Sequence, residues 1–484
     1  MLTAANMALS LNPMLTQGSI HALSAHGDQS QKLTWLPKLI TGEWAGTMNL
    51  TEPQAGSDVG ALTTKAELQQ DGTYLISGQK IYITNGSWAD VCIVFAMVNG
   101  KYTAFIIEKG CEGFVIGAEE KKLGIKGSST ATLFFENCKV PVENVLGKIG
   151  QGGPIAFNVL YPGRYKLGVT TCAGAKYILN GALDFAFERE QFSRSISKFD
   201  MIKNKFAMMV TKSWESDSIN YMTTGAIDEA IQKLDKNSEN YYDGVQKIIE
   251  DHSIEASISK ILGSETLAYT VDEGVQIMGG AGFIEEYPMA GAYRDERINR
   301  IFEGTNEINR LLAAGTALKK ALLEEIPIRD AILQREDVWF SEIVENVGDE
   351  IQKEAQVVEF CRSLNLYIFD LLITEYGQDL KNEQWVMEPY SDILISMSVL
   401  DTAIKRYIQA GEVKKKDMLD VLRLSVANHY NEMIKNAKDI IAELNIDAKT
   451  LFGWIDVLGY EPNRIALKKK VYEKLDKYRK YYLD

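Results

Sequence analysis

The chain has 484 residues, of which 46% are hydrophobic and 24% charged, and its formal net charge is −14. This length suggests about three domains, and the acidic balance argues against nonspecific nucleic-acid binding, because no basic field would attract phosphates. The five cysteines show no CxxC spacing and the four histidines form no HExxH-like pair. We therefore expect neither a disulfide framework nor a metal site.

The termini bear on where the protein works. The N-terminus begins at Met1 without a basic region, so it does not resemble a secretory signal. The chain also lacks an apolar run of about 18 residues, which a membrane-spanning helix would need. We therefore expect a cytoplasmic protein. Residues 464–480 carry eight basic and two acidic side chains. They predict a basic amphipathic helix, whose charged face is either solvated or in contact with a membrane surface or a partner.

In chain order, residues 1–40 have the apolar spacing of helices. We expect the helical pattern to be interrupted near Asn12-Pro13 and at Pro37, and to turn at Gly27-Asp28. A short helical region of this kind suggests either a small subdomain or the remnant of a longer N-terminal helical domain.

Strand-like segments follow between residues 41 and 155. Four runs are rich in β-branched and aromatic residues, and they are Tyr74–Thr84, Val91–Met97, Tyr102–Ile107 and Ala131–Phe135. Glycine and asparagine separate them at hairpin-like intervals, and Ser77-Gly78 predicts a turn inside the first run. Strands without intervening helices indicate an antiparallel barrel or sandwich, not a Rossmann unit.

The helical period returns after Gly152-Gly153-Pro154 and holds to about residue 322, which predicts a helical bundle. The polar segment 235–246 predicts a loop or a helix break. The remaining residues are again helical and contain no catalytic-looking stretch. The predicted fold class is α+β, with a β domain between helical domains and an extra C-terminal helical domain. The expected boundaries are 1–40, 41–155, 156–322 and 323–484.

The segment 297–310 carries the strongest local signal for chemistry. Ile301 and Phe302 precede Glu303, and Gly304 and Thr305 interrupt any helix there. A carboxylate at such a break can lean into a closed pocket, where desolvation raises its pKa toward the value that a general base requires. The alternative is a solvated turn, since most glutamates are exposed. The local residues leave both interpretations open.

Three further motifs occur in order. They are Met48–Asp58 (MNLTEPQAGSD), Gln79–Gly86 (QKIYITNG) and Gln276–Phe283 (QIMGGAGF), and Glu303 follows the last one by 20 residues. Together, over residues 1–320, they resemble the acyl-CoA dehydrogenase family. Members of that family bind FAD and desaturate acyl-CoA thioesters between Cα and Cβ. The resemblance therefore implies an acyl-CoA dehydrogenase-like fold and an FAD-dependent enzyme.

The resemblance also implies which residues contact FAD. They are Met48, Leu50, Thr51, Ser57, Tyr82, Ile83, Thr84, Arg189, Phe192, Gln276, Gly279, Gly280, Thr305 and Asn306. Thr51 would donate toward the flavin ring, Tyr82 would pack on it, and Thr84 would lie near N5. Threonine hydroxyls at strand ends can tune a flavin without adding charge.

Part of this set implies an oligomer. Arg189 and Phe192 match the family's motif for the FAD pyrophosphate. Gln276, Gly279 and Gly280 match the loop around the adenosine half of FAD. Glycines at such a loop allow close backbone approach to the ligand. In the family these elements reach FAD from a neighbouring subunit, so we expect at least a homodimer.

The same resemblance assigns the substrate contacts. Ser57, Arg164 and Gly304 would contact the acyl-CoA substrate, whereas Tyr161 and Pro162 depart from the Asp or Asn that members carry. Glu303 would be the base that removes the pro-R α-proton while the β-hydride passes to flavin N5. Hydrogen bonds from a ribityl hydroxyl and from the backbone N–H of the catalytic glutamate would stabilise the enolate.

The resemblance also points to one branch of the family and to an electron acceptor, and it leaves two alternative functions open. The C-terminal helical region points toward the very-long-chain branch, with peripheral contact to the inner face of a membrane, and the first helical domain looks N-terminally truncated. An electron-transferring flavoprotein is the expected electron acceptor. The alternatives are an acyl-CoA oxidase, which passes electrons to oxygen, and a non-catalytic flavin-binding member of the family.

Overall fold

The computed structural model describes residues 2–238, 240–334 and 350–483. It divides into two compact units. The first unit contains Met1–Lys166 with Ile227–His252, and the second contains Leu167–Ala226 with Ser253–Asp484. Within the described ranges, no helix has the length and apolarity needed to cross a membrane.

The first unit opens with three helices, which are α1 Leu2–Ala5, α2 Met7–His26 and α3 Gln29–Thr41. The turn expected at Gly27-Asp28 is confirmed. Asp28 accepts a hydrogen bond from the backbone N–H of Gln31, and the Gln31 side chain accepts one from the backbone N–H of Asp28. This reciprocal cap sets where α3 begins.

The two helix breaks expected at prolines were wrong. Pro13 lies inside α2 and Pro37 lies inside α3. A proline inside a helix costs about 3 kcal/mol. Leu23, Trp35 and Leu39 are buried in one core with residues of the sheet, and each buried side chain contributes about 1.5–3 kcal/mol. Tertiary burial therefore offsets the local penalty.

Eight strands of the described residues form one sheet in the order β6-β7-β3-β2-β4-β5-β8, with β1 beside β4. They are β1 Gly46–Asn49, β2 Lys65–Leu68, β3 Thr73–Thr84, β4 Val91–Val98, β5 Lys101–Glu108, β6 Phe114–Glu119, β7 Thr130–Pro141 and β8 Val145–Leu146. The four predicted runs fall in β3, β4, β5 and β7 and are confirmed as strands. Most pairings are antiparallel as expected, but β1 and β2 pair with β4 in parallel.

The sheet of the described residues is open and strongly curved, so the expected antiparallel barrel or sandwich is not confirmed in that detail. The rings of Tyr74 on β3 and Phe105 on β5 lie 5.2 Å apart, although two strands separate β3 from β5. In a flat sheet these strands would lie about 14 Å apart. The sheet therefore wraps around a shared core. No ladder joins β8 to β6 in the described sheet, and β8 itself has only two residues.

The turn expected at Ser77-Gly78 was also wrong. Strand β3 runs unbroken through these residues, and its pairing with β7 shifts between Ile76 and Gly78. A Cβ atom on Gly78 would lie 2.8 Å from the Cα of Thr64. The glycine therefore marks a β-bulge where a neighbouring backbone approaches closely.

The remaining helices are α4 Gly152–Glu188, α5 Asp200–Gln232, α6 Tyr241–Asp251, α7 Ser253–Met278, α8 Gly280–Phe283, α9 Pro288–Glu296, α10 Asn306–Leu322, α11 Ile328–Leu333, α12 Gln352–Tyr376, α13 Gln384–Gln409, α14 Glu412–Glu443, α15 Lys449–Leu458 and α16 Arg464–Tyr478. A small hairpin of β9 Glu190–Gln191 and β10 Arg194–Ser195 follows α4. The predicted helical period is confirmed in α4, α5 and α7. The predicted break at 235–246 was wrong in its second half, because α6 begins at Tyr241 and buries Ile249.

In the second unit, the C-terminal helices share one hydrophobic core with parts of α4 and α5. Leu183, Phe206, Leu364, Val421 and Leu475 are all fully buried in it. The predicted basic segment is confirmed as helix α16, which buries its apolar side in this core. The prediction of helix for residues 335–349 falls outside the described residues. The four domain boundaries stay predictions.

Candidate active site

The first two motifs lie side by side in the first unit. The Thr47 hydroxyl donates to the carbonyl of Thr84 at 2.6 Å, and the backbone N–H of Ile81 donates to the carbonyl of Thr51 at 3.0 Å. The segment after β1 therefore runs beside the end of β3. This pairing brings together the residues predicted to face the flavin, namely Met48, Leu50, Thr51, Tyr82, Ile83 and Thr84.

A buried ion pair fixes this edge. Lys80 Nζ lies 2.7 Å from Glu52 Oε1, both side chains are at most 1% exposed, and Lys80 also donates to the Leu50 carbonyl at 3.2 Å. Glu52 further accepts hydrogen bonds from the backbone N–H and hydroxyl groups of Thr63 and Thr64. Burial by itself raises the pKa of Glu52, but the bonds from Lys80, Thr64 and Thr63 outweigh it and bring the pKa to about 2.

The end of β3 presents one aromatic ring outward. Tyr82 has a backbone φ of +59° and a side chain 65% exposed, whereas Ile83 points into the core. A left-handed conformation at a non-glycine residue costs about 1–3 kcal/mol and persists where the surroundings enforce it. Thr84 is partly buried, and Ser57 lies exposed in the loop after the first motif. An exposed ring beside two threonines fits the planar face of a flavin.

Arg164 lies on α4 and is 2% exposed. Its guanidinium lies 5.2 Å from the centre of the Tyr161 ring. Burial raises the pKa of Tyr161, while the positive charge of Arg164 acts in the opposite direction. The aromatic residue that departs from the family pattern therefore supplies a cation–π contact to the arginine predicted to adjoin the substrate.

In the second unit, Glu303 occupies the predicted helix break. It has a φ of +57° and Gly304 has a φ of +81°, between a 3-10 turn at Arg297–Arg300 and helix α10. The Thr305 hydroxyl caps α10 by accepting the backbone N–H of Ile308 at 3.3 Å. Glu303 is partly buried. The break itself is confirmed, and the carboxylate is carried on a backbone conformation that glutamate rarely adopts.

Buried side chains bind the backbone of this loop. Lys260 is 0% exposed, and its Nζ donates to the Gly304 carbonyl at 2.8 Å and to Asn306 Oδ1 at 2.6 Å. Asn309 Nδ2 donates to the carbonyls of Gly304 and Thr305 at 2.8 and 3.0 Å. The Asn306 side chain is thus engaged by protein groups, whereas sequence reasoning assigned it to the cofactor. Lys260 and Asn309 were missed, although a lysine between Ile258 and Ile261-Leu262 is a recognisable signal for a buried charge.

The residues predicted to reach the cofactor from a neighbouring subunit lie on the surface of the second unit. Arg189 and Gln276 are exposed, and Phe192 is 88% exposed with a φ of +53°. A Cβ atom placed on Gly279 or Gly280 would meet no atom within 4 Å. An exposed cation, an exposed ring and two open glycines are groups that fit the pyrophosphate and adenosine parts of FAD.

Two family descriptions match this chain. "Acyl-CoA dehydrogenase, middle domain" matches residues 47–138, and "Acyl-CoA dehydrogenase, C-terminal domain" matches residues 150–318. These ranges contain the motifs at 48–58, 79–86 and 276–283, and they include Glu303.

Relatives and solved structures agree with these matches. A protein of Bacillus subtilis named a probable acyl-CoA dehydrogenase is 39% identical over 422 residues, covering 85% of this chain and 71% of that protein. The human mitochondrial very long-chain specific acyl-CoA dehydrogenase is 39% identical over 299 residues, covering 60% of this chain but only 43% of that protein. A crystal structure of an acyl-CoA dehydrogenase complexed with FAD from Bacillus anthracis superposes with a TM-score of 0.91 at 36% identity, covering 96% of this chain and 80% of that one.

Proposed function

Because the chain belongs to the acyl-CoA dehydrogenase family, we propose that it desaturates a fatty acyl-CoA thioester between Cα and Cβ, with Glu303 as the base. The chain is an FAD-dependent oxidoreductase. The observation that carries the mechanism is the position of Glu303, a partly buried carboxylate on a left-handed backbone between a 3-10 turn and α10.

The chain's own residues bind, orient and take a proton. Glu303 removes the α-proton, and its backbone N–H donates to the thioester oxygen as negative charge develops there. Removing one such donor typically costs about 3 kcal/mol or more. FAD, when bound, supplies the acceptor for the β-hydride. Thr51, Tyr82 and Thr84 bind and orient the ring, and Ser57, Arg164 and Gly304 contact the substrate.

The exposed cofactor groups of the second unit support a homodimer. We assign Arg189 and Phe192 to the FAD pyrophosphate, and Gln276, Gly279 and Gly280 to the adenosine half, each in the site of a neighbouring subunit. Thr305 completes the cofactor contacts beside Glu303, and Asn306 would contribute through its backbone, because its side chain is bonded to Lys260 and Glu265. The four-domain division of the chain, with boundaries near residues 40, 155 and 322, belongs to the same proposal.

The finer assignment is to long acyl chains. The name of the human relative, which refers to very long-chain substrates, and the C-terminal helices α12–α16 support it. An electron-transferring flavoprotein is the proposed acceptor. The basic helix α16, with Lys469 and Lys470 exposed, is the proposed contact with the inner face of a membrane.

The test is flavin reduction. Purified protein should be yellow and should bleach with palmitoyl-CoA in the absence of oxygen. Glu303→Gln should keep the yellow colour and lose the bleaching, because the amide cannot accept the α-proton. Glu324→Gln, at a side chain 75% exposed, is the matched control and should bleach normally.

Normal bleaching of the Glu303→Gln protein would show that Glu303 is not the base. Slow reoxidation of the reduced flavin in air would support a dehydrogenase, and rapid reoxidation would support an acyl-CoA oxidase. A yellow protein that no acyl-CoA bleaches would support the non-catalytic, flavin-binding alternative.

A further inference from the structure

We propose that Lys260 is a positioning residue for Glu303. Its buried ammonium group holds the carbonyl of Gly304, the residue directly after the base, and so sets the direction in which the Glu303 carboxylate points. This inference rests on the proposed function, because it gives Lys260 a role in the reaction through Glu303.

The contacts around the Gly304 carbonyl are specific. Lys260 Nζ donates to this oxygen at 2.8 Å, and Asn309 Nδ2 also donates to it at 2.8 Å. Lys260 precedes Gly304 in the chain, and Asn309 follows it. A carbonyl oxygen has two lone pairs, so the two donors satisfy it fully. Hydrogen bonds from a charged donor are about twice as strong as neutral ones. The peptide after Glu303 is therefore held at two points.

The loop needs such a constraint. Glu303 and Gly304 both have positive φ values, +57° and +81°. A non-glycine residue in this region is strained by about 1–3 kcal/mol, and such strain persists only when surrounding contacts determine the conformation. Without the two donors, Glu303 would gain access to extended or right-handed conformations, which would point its carboxylate elsewhere.

Lys260 is itself carried on a rigid base. It lies in the interior of α7. That helix packs closely against α4, as shown at Gly263, where a Cβ atom would lie 2.6 Å from the carbonyl of Gly168. The second acceptor of Lys260, Asn306 Oδ1, belongs to a side chain that donates to Glu265 Oε1 at 2.9 Å. Glu265 in turn accepts from Arg310 at 2.8 Å. The ammonium group thus links α7 to the Glu303 loop and to the first residue of α10.

Burying a lysine at this position of α7 has a cost in free energy, which its hydrogen bonds must offset. A lysine ammonium taken fully out of water costs several kcal/mol unless it is well hydrogen-bonded. Lys260 Nζ donates to oxygens of the Glu303 loop and of the first residue of α10. A hydrophobic residue would fill the same space in α7 without this cost. The lysine is therefore explained by what it holds.

The experiment compares Lys260→Met, which keeps the shape and removes the donors, with Lys260→Gln, which keeps a shorter donor. The FAD content is measured at 450 nm, and the anaerobic bleaching rate is measured against palmitoyl-CoA concentration. We expect Lys260→Met to keep its FAD and a half-saturating concentration within about threefold. Its limiting rate should fall about 100-fold, since displacing a catalytic group by about 1 Å costs that much. Lys260→Gln should recover at least tenfold of this loss.

Two further measurements separate positioning from general damage. Amide hydrogen exchange of the peptide 301–310 should rise in Lys260→Met and return toward the wild-type level in Lys260→Gln. The control is Lys353→Met, which removes another lysine that donates to a backbone carbonyl, that of Leu458 among the C-terminal helices. It should change neither the limiting rate nor exchange in this peptide.

If Lys260→Met does not fold, Asn309→Asp tests the same carbonyl, because a carboxylate cannot donate to it, and the same fall in limiting rate is expected. An unchanged limiting rate in the folded Lys260→Met protein, with Glu303→Gln inactive, would overturn the positioning role and leave the proposed function standing. Normal bleaching by Glu303→Gln would overturn the proposed function instead. In that case the exchange of peptide 301–310 still reports whether Lys260 holds the loop.

Discussion

The buried pair of Lys80 and Glu52 supports the sharpest prediction of stability. Lys80→Met removes the ammonium group but keeps the length of the side chain. It leaves the Glu52 carboxylate 1% exposed and without the partner 2.7 Å away. The hydrogen bonds from Thr63 and Thr64 remain, but no positive charge compensates the buried negative one.

The expected loss is large. Breaking a buried ion pair by removing one partner costs about 3–5 kcal/mol, whereas removing both charges is often nearly neutral. We therefore expect Lys80→Met to lower the free energy of unfolding by about 3–5 kcal/mol. Adding Glu52→Gln should restore about 2 kcal/mol, because glutamine leaves no unpaired buried charge. Its single amide oxygen still accepts from one of the two threonines, although the amide NH2 cannot accept from the other.

The assay is urea unfolding of the wild type, both single variants and the double variant, at pH 5 and pH 7. The pKa of Glu52 in the folded wild type, about 2, lies below its ordinary value of 4.5. Its contribution is therefore present above pH 4.5 and is lost as the pH falls toward 2. In Lys80→Met the pKa of Glu52 rises from about 2, because the ammonium group no longer lowers it. The deficit relative to the wild type should therefore be similar at pH 7 and pH 5 and should shrink below pH 4.5, which a further series at pH 3 measures.

Two results would refute this reasoning. The first is a Lys80→Met protein that loses less than about 1 kcal/mol, which is the value of an exposed pair. The second is a double variant that is less stable than Lys80→Met, since the second substitution would then not relieve an unpaired charge. Because Lys80 also binds the Leu50 carbonyl, weaker retention of FAD should accompany the stability loss.

Three other predictions concern separate parts of the chain. Burial brings the pKa of His21 to about 4, below its ordinary 6.5. The unfolded chain therefore takes up this proton first, and about 3 kcal/mol of stability present above pH 6.5 is lost as the pH falls to 4. Urea unfolding at a series of pH values should show a smaller loss in His21→Gln. Gly168→Ala should cost about 1–3 kcal/mol or more of folding free energy, since its Cβ would lie 2.6 Å from the Ser259 carbonyl. Gly181→Ala on the same helix has open space around its Cβ. Thermal unfolding should show a lower midpoint for Gly168→Ala but not for Gly181→Ala. In a thiol titration of the folded protein, Cys111 should react rapidly because the other four cysteines are buried, and Cys111→Ser should remove the fast phase.

Local patterns predicted much of the fold. The apolar run in β4 is what a strand buried on both faces requires, and the structure buries Val91 through Ala96 completely. The helical period predicted α4, α5 and α7 because one face of each is apolar over several turns. The break at Glu303 was also readable, because Gly304 and Thr305 end one element and begin the next.

Other features depended on residues far apart in the chain. The short strand β1 has only four residues and pairs with β4 across more than 40 positions, so no local period indicates it. Pro13 predicted a break that burial overrode, and Gly78 predicted a turn where the chain forms a bulge against Thr64. Propensity is a weak prior wherever tertiary contacts contribute more.

The amino-acid sequence by itself determined the family, the order of its motifs and the carboxylate proposed as the base, since each is a short run of residues. Only the tertiary structure decided how that carboxylate is held. Lys260 is 44 residues from Gly304, and Lys80 is 28 residues from Glu52. Such partners meet because helices cross and strands pair at particular places, and that geometry is set by packing over the whole unit, which no local spacing records.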